Sequence, residues 1–177
     1  DAMAARRQEN YLELKTFGAA CRILPEGIAL DGVAEEGPRG IIISLYALHA
    51  VSVVPLLEPF KSFKEIPNSA PYAGAFANRT EQALVPAVGR VAGMREKLLD
   101  RLQGTAAPAS VSGDLAVVVR PLPKISLCYV SYLADEEFPA GVTCLYSQNA
   151  HLFLPTDALA DVGEYTTKAI LGMVEKG

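Results

Sequence analysis

The chain has 177 residues, of which 50% are hydrophobic and 20% are charged, and this composition is typical of one folded globular domain. Its formal net charge is -4 and its basic residues are scattered, so the basic patch of a nucleic-acid-binding protein is missing. The three cysteines Cys21, Cys128 and Cys144 are far apart. This spacing disfavours zinc and iron–sulfur sites, which use close cysteine pairs, and favours reduced, buried thiols in a cytoplasmic protein.

The start of the chain is small and polar and has no apolar core of the length that secretion requires. Met3 is expected to be the natural start, with Asp1 and Ala2 a remnant ahead of it. The longest apolar run, residues 41–57, is interrupted by polar residues and Pro55, which favours a buried core element over a membrane span. We therefore expect a cytoplasmic protein with neither a membrane nor a nucleic acid as partner.

Residues 4–17 are predicted to form a helix, because their apolar residues recur at three-residue spacing and Gly18 follows as a stop. Residues 21–30 predict a β-hairpin around the turn tripeptide Pro25-Glu26-Gly27. Residues 31–40 then read as a loop. The chain thus opens with a helix and a hairpin.

Residues 41–54 predict either a buried helix or a strand, and their length favours the helix. Residues 56–77 are rich in proline and predict an irregular wrapped segment with one helical turn near residues 62–66. Residues 78–81 (Asn-Arg-Thr-Glu) resemble a capping box, so a helix interrupted at Pro86 is expected after them.

The small, polar stretch 105–113 predicts a surface loop. Four β-rich runs beyond it predict strands at residues 114–120, 125–133, 142–146 and 151–154. Thr156 is expected to cap a last helix that ends near Glu175. The order of elements predicts one α+β domain over residues 1–177, with a mainly antiparallel or mixed central sheet packed with about four helices.

Several short motifs in the second half follow one another in a recognisable order: Leu122-Pro123, Asp135-Glu136-Glu137-Phe138-Pro139, Leu145-Tyr146 and Leu154-Pro155. This order resembles the uncharacterised family called domain of unknown function 3786, found in mostly anaerobic bacteria and archaea. Tyr132 stands where the family commonly has tryptophan, and Ser147 where it often has aspartate. Some relatives carry an added iron–sulfur cysteine segment that this chain lacks, so the resemblance implies a setting in redox or one-carbon metabolism and no defined activity.

The acidic run Asp135-Glu136-Glu137 is the strongest candidate for chemistry. In an extended segment Asp135 and Glu137 share a face, and mutual repulsion between their carboxylates would raise one pKa, as a general acid/base pair or a hard-cation site requires. The alternative is a solvated β-turn anchored by Phe138. No other spacing in the sequence predicts a metal site, since the two histidines form no metal-binding motif.

Three further residues are candidates for a binding site. His49 and Tyr46 are three positions apart in the predicted helix and would form a small polar site, unless His49 is a core histidine bonded to a carbonyl. Tyr72, with Phe76 and Tyr46, would line a pocket under the proline-rich segment or would simply seal the edge of the core.

These features lead to three hypotheses. The first is an accessory domain that binds a small ligand or a protein partner in anaerobic metabolism. The second is an enzyme that uses Asp135 or Glu137 as acid and base, with Tyr72 or His49 orienting the substrate. The third is a structural subunit of a homo-oligomer. No nucleophile elbow and no glycine-rich phosphate loop are present in the sequence, and the sequence assigns no cofactor.

Overall fold

Two antiparallel five-stranded sheets form the framework of the molecule. The structure is a computed structural model that describes residues 2–8 and 10–176. The predicted remnant residue Asp1 lies outside these ranges, as do Glu9 and Gly177.

The first sheet is a meander of hairpins in which the strands follow one another in chain order. Its strands are β1 Arg6–Arg7, β2 Leu12–Thr16, β3 Ala19–Leu24, β4 Gly27–Leu30 and β5 Val33–Ala34. The second sheet has the order β6-β10-β9-β8-β7. Its strands are β6 Lys61–Ser62, β7 Thr105–Ala106, β8 Leu115–Leu122, β9 Ile125–Tyr132 and β10 Gly141–Tyr146.

The α-helices pack around the second sheet and against one another. They are α1 Pro38–His49, α2 Ala73–Phe76, α3 Val88–Gly93, α4 Arg95–Arg101 and α5 Thr156–Glu175. Only Met94 separates α3 from α4, so within the described residues the helices form four units, and the predicted α+β fold with antiparallel sheets is confirmed. No helix in the described part of the chain has the length and apolarity needed to cross a membrane.

The helix predicted for residues 4–17 is wrong. Strands β1 and β2 occupy this region, because alternate residues point inward: Leu14 and Thr16 are buried while Lys15 is exposed. Gly18 does not end a helix; it forms with Phe17 the two-residue turn between β2 and β3. The three-residue spacing of apolar side chains is typical of a helix, but the side chains of this segment alternate between buried and exposed as in a strand.

Of four other predicted elements, two are confirmed and two are wrong. The hairpin at residues 21–30 is confirmed as β3 and β4, and the helical turn near residues 62–66 is confirmed as a 3₁₀ turn, Phe63–Glu65. Residues 78–81 do not cap a helix, since they lie inside a π-helical segment, Ala77–Gln82. Residues 151–154 are not a strand, because the chain there forms a 3₁₀ turn, Ala150–Leu152.

Two more expectations need correction. The stretch 105–113 is not entirely a loop, because Thr105–Ala106 pairs with β8 as an edge strand. Thr156 does not cap α5, since its hydroxyl donates to the carbonyl oxygen of Pro67 at 2.8 Å. The helix instead follows Pro155, which has no side-chain hydrogen bond to the helix end.

Strands β8 and β9 are buried on both faces, as their apolar runs predict. One face joins the main core. The other carries a small cluster of Val118, Cys128 and Val130, against which Phe60 and Val111 pack from two loops. The second sheet is therefore the centre of the molecule.

The backbone of α5 closes on the core at Gly163. A Cβ atom built there would lie 2.5 Å from Cε2 of Phe76, 2.8 Å from Oγ1 of Thr80 and 3.0 Å from the hydroxyl of Tyr146. The Phe76 ring is itself stacked on Phe63 with 4.4 Å between centroids. Only glycine allows this approach, because the neighbouring rings have no free space into which to move.

We expect Gly163→Ala to lower the free energy of unfolding by about 1–3 kcal/mol, since it overpacks a filled core. The matched control is Gly89→Ala in α3, where a Cβ meets nothing within 4 Å and alanine favours the helix. Urea unfolding measures both. A stability of Gly163→Ala equal to that of Gly89→Ala would contradict the packing described here.

Candidate functional site

The acidic run lies in an exposed turn between β9 and β10. The Oδ1 atom of Asp135 accepts hydrogen bonds from the backbone N–H of Glu137 at 2.8 Å and of Phe138 at 2.7 Å. These bonds favour the charged form and lower the pKa of Asp135. A repelling carboxylate pair would instead raise the pKa of one of its members. The hydrogen bonds fit the alternative interpretation, a solvated turn that its own aspartate stabilises.

Tyr46 and His49 do not form a shared polar site. Tyr46 is fully buried, and its hydroxyl donates to the carbonyl oxygen of Met3 at 2.9 Å; burial raises the pKa of this phenol well above its ordinary value. His49 lies exposed at the end of α1. Residues three apart lie on neighbouring sides of a helix, but the buried side of α1 includes Tyr46 and does not extend to His49, the last residue of the helix.

Tyr72 lines a cleft of about 220 Å³ between α2 and α5. Phe76 and Arg79 form one side of the cleft, and the other side carries three carboxylates of α5, those of Asp157, Asp161 and Glu164. Glu164 pairs with Arg79 at 3.3 Å and with Lys168 at 2.6 Å. In the described part of the chain, no group of three histidine, cysteine or acidic side chains is arranged to hold a metal ion.

The carboxyl of Asp161 has a raised pKa in this cleft. Desolvation raises its pKa above the ordinary value, and the neighbouring charges of Glu164 and Asp157 raise it further. Its ionisation is therefore less favourable in the folded chain than in the unfolded chain.

A larger cavity of about 590 Å³ lies where the first sheet meets α4 and the end of α5; we call it the α4–α5 cavity. None of the candidate residues named from the sequence lines it. Its lining residues are Phe17, Ala19, Leu30, Asp31, Arg39, Lys97, Asp100, Arg101, Leu102, Ala169, Gly172, Met173 and Lys176. The volume falls in the range of small-molecule sites in proteins.

Two hairpin turns of the first sheet bring residues to this cavity. Phe17 and Gly18 join β2 to β3 with φ angles of 48° and 77°, both positive as in type I′ turns. A Cβ at Gly18 would lie 2.9 Å from the carbonyl oxygen of Arg101, so glycine lets the turn contact the end of α4. Asp31 belongs to the turn between β4 and β5, where its Oδ1 accepts from the backbone N–H of Ala20 at 2.8 Å.

The charges of the α4–α5 cavity are unevenly paired. Arg101 pairs with Asp31 at 3.2 Å, and Arg39 pairs with Glu35. Over residues 2–8 and 10–176, the side chains of Lys97, Lys176 and Asp100 make no hydrogen bond or ion pair. Two lysines and one aspartate of the cavity lining thus have no partner in the described part of the chain.

The apolar part of the wall is well defined. Phe17, Leu30 and Leu102 are buried and line the cavity together with the half-buried Met173. Gly172 of α5 belongs to the same lining, and a Cβ built there meets nothing within 4 Å. This glycine therefore leaves open space in the cavity, unlike Gly163 of the same helix.

Comparison with family models gives a match over residues 1–169 to the family described as a domain of unknown function, DUF3786. The chain belongs to this family. The match ends before Gly172, Met173 and Lys176, so three lining residues of the cavity lie beyond the DUF3786 region. No curated protein and no solved structure matches the chain.

Sequence reasoning missed the α4–α5 cavity of this DUF3786 chain. Neither Lys97 nor Arg101 was a candidate residue, and Phe17 was assigned to a helix that does not exist. Two signals were present: Phe17-Gly18 between alternating strands indicates a tight hairpin, and Gly172 weakens a helix without an evident local reason.

We expect Asp161→Asn to stabilise the fold at pH 7 by about 0.5 kcal/mol or less, because solvent screens this exposed site. Because the pKa of Asp161 is higher in the folded chain than in the unfolded chain, its ionised form destabilises the fold at neutral pH. This destabilisation disappears as the pH falls below the pKa of aspartate in the unfolded chain, about 3.9. The gain should therefore shrink between pH 7 and pH 3 in thermal or urea unfolding.

The control is Asp157→Asn, which removes a carboxylate from the first turn of α5. A negative charge there interacts favourably with the helix N-terminus, so this variant should destabilise at pH 7. If both variants changed stability in the same direction, the electrostatic account of the cleft would be wrong.

Proposed function

We propose that this DUF3786 domain binds a small organic anion in the α4–α5 cavity, as an accessory binding domain. The observation that carries the proposal is a cavity of about 590 Å³ whose lining includes two lysines, Lys97 and Lys176, without a protein partner among the described residues. Pockets of this size with an apolar wall and a few convergent polar groups are the usual sites of small ligands.

The charge of the lining favours an anion over a cation. Four basic side chains reach the cavity, those of Arg39, Lys97, Arg101 and Lys176, against the acids Asp31 and Asp100. An acidic ligand group would bring charge-assisted hydrogen bonds to ammonium groups that have no counterion among the residues described, and such bonds are stronger than neutral ones.

Arg101 is available as a third contact. Its ion pair with Asp31 is exposed on both sides, with 56% and 51% of the side-chain surface accessible. Exposed pairs contribute about 0–1 kcal/mol to stability, so a ligand carboxylate or phosphate could draw the guanidinium away at little cost. The binding group of the domain would then be two lysines supported by one arginine.

Binding without catalysis is the better proposal for this chain. Asp135 and Glu137 lie on an exposed turn, and none of the five described cavities is lined by either residue. The proposed setting, a cytoplasmic domain in anaerobic redox or one-carbon metabolism, rests on the family resemblance. A homo-oligomeric role stays a prediction.

We expect a panel of butanoate, succinate, benzoate and glycerol phosphate to contain at least one ligand that raises the melting temperature at low ionic strength. The double variant Lys97→Gln/Lys176→Gln should bind that ligand at least about tenfold more weakly, since a hydrogen bond to a charged group contributes about 1.5–3 kcal/mol. Titration calorimetry measures the affinity.

The matched control is Lys15→Gln, which removes one positive charge from the exposed face of β2, away from the cavity lining. Its affinity should stay within about twofold of the wild-type value, because Lys15 does not line the cavity and the surrounding water weakens the effect of its exposed charge on the ligand. Equal affinities of the double variant and the wild type would overturn the proposed function, as would a panel with no binding member.

A further inference from the structure

Gly172 has no packing reason to be glycine. At Gly163, in the same helix, a Cβ would collide with three side chains, whereas at Gly172 it would meet nothing within 4 Å. Glycine weakens a helix relative to alanine, so Gly172 reduces the stability of α5 without making room for a neighbouring part of the chain. What it does leave room for is the interior of the α4–α5 cavity.

The surface beside Gly172 is suited to an apolar group. Leu102 and Phe17 line the cavity and are 1% and 5% exposed, so a ligand there would touch the edge of the hydrophobic core. Met173 adds a flexible thioether side chain, which adapts to ligands of different shape. Small hydrophilic anions would leave this part of the wall unused.

The unpaired charges indicate how much charge the ligand carries. Two ammonium groups and the carboxylate of Asp100, all without a partner within residues 2–8 and 10–176, leave one positive charge to be balanced. The cavity also includes the end of α5, at Gly172 and Lys176, where backbone carbonyls make the helix terminus negative. Both features disfavour a polyphosphate and fit a single acidic head.

Building on the proposed function, we propose that the ligand is an amphipathic monoanion. Its acidic head binds Lys97 and Lys176, and its aliphatic or aromatic body lies against Gly172, Phe17 and Met173. Gly172 then determines the size of body that the domain accepts. The head is a carboxylate or a phosphate ester, which share the chemistry that the lysines recognise.

The test is titration calorimetry with the straight-chain acids butanoate, hexanoate and octanoate, and with hexyl phosphate to distinguish the two heads. The affinity of the wild type should rise about twofold to fourfold for each methylene added, as the removal of apolar surface from water predicts. Lys97→Gln/Lys176→Gln should lower the affinity for all four ligands by a similar factor. The gain in affinity per methylene, here called the increment, should stay unchanged.

Gly172→Phe should occupy the open space beside α5 and remove the increment, so that octanoate binds no more tightly than butanoate. Its melting temperature should not fall, because the new side chain enters open space; Gly172→Leu serves as a second filling variant if the phenylalanine protein does not fold. The control is Gly89→Phe in α3, an exposed helical glycine with equally open surroundings, which should keep the increment.

The outcomes separate the two proposals. Short acids that bind with no dependence on chain length would overturn the amphipathic ligand and leave anion binding in place. An increment that persists in both Gly172 variants would mean that the chains bind elsewhere on the surface, and it would overturn the role of Gly172. If no acid binds at all, both proposals fail.

Discussion

The close approach of α5 at Gly163 is the constraint on which the other elements depend. It seats the helix on α2 and the π-helical segment while α1 and α3 contact the same helix. Polar contacts fix the register: the hydroxyl of Tyr146 donates to the carbonyl oxygen of Leu159 at 2.7 Å, and the hydroxyl of Thr167 donates to that of Thr80 at 3.0 Å. Once these contacts form, the end of α5 has one position, and that position closes one side of the α4–α5 cavity.

Two backbone hydrogen bonds tie the second sheet to the first sheet and to the end of α4 beside this cavity. The N–H of Phe17 donates to the carbonyl oxygen of Pro121 at 2.8 Å, and the N–H of Arg120 donates to that of Leu102 at 3.0 Å. Phe17 and Leu102 also line the cavity. The residues that tie the second sheet to the first sheet and to α4 therefore form part of its wall, and an occupied cavity would be coupled to the packing of these elements.

Local signals in the sequence predicted the elements that local chemistry determines. The apolar runs of β8 and β9 and the interruption of the helix at Pro86 follow from residue type alone. The first segment could not be resolved in this way, because Leu14 satisfies both a helical and an alternating pattern. The cavity could not be predicted from the sequence for a different reason. Its residues come from four separate parts of the chain, and only tertiary packing places Lys97 and Lys176 in the lining of one cavity.

The segment after α1 shows how polar groups control an apolar stretch of chain. Val51, Val53 and Val54 are exposed, yet the ammonium group of Lys124 donates to the carbonyl oxygens of Val51 and Val53 at 2.8 and 3.0 Å. Short exposed valine-rich segments with free backbone groups are templates for intermolecular β-pairing. Because Lys124 occupies those carbonyls, residues 51–54 present fewer free backbone acceptors for β-pairing with a second chain, and the same contacts fix the loop.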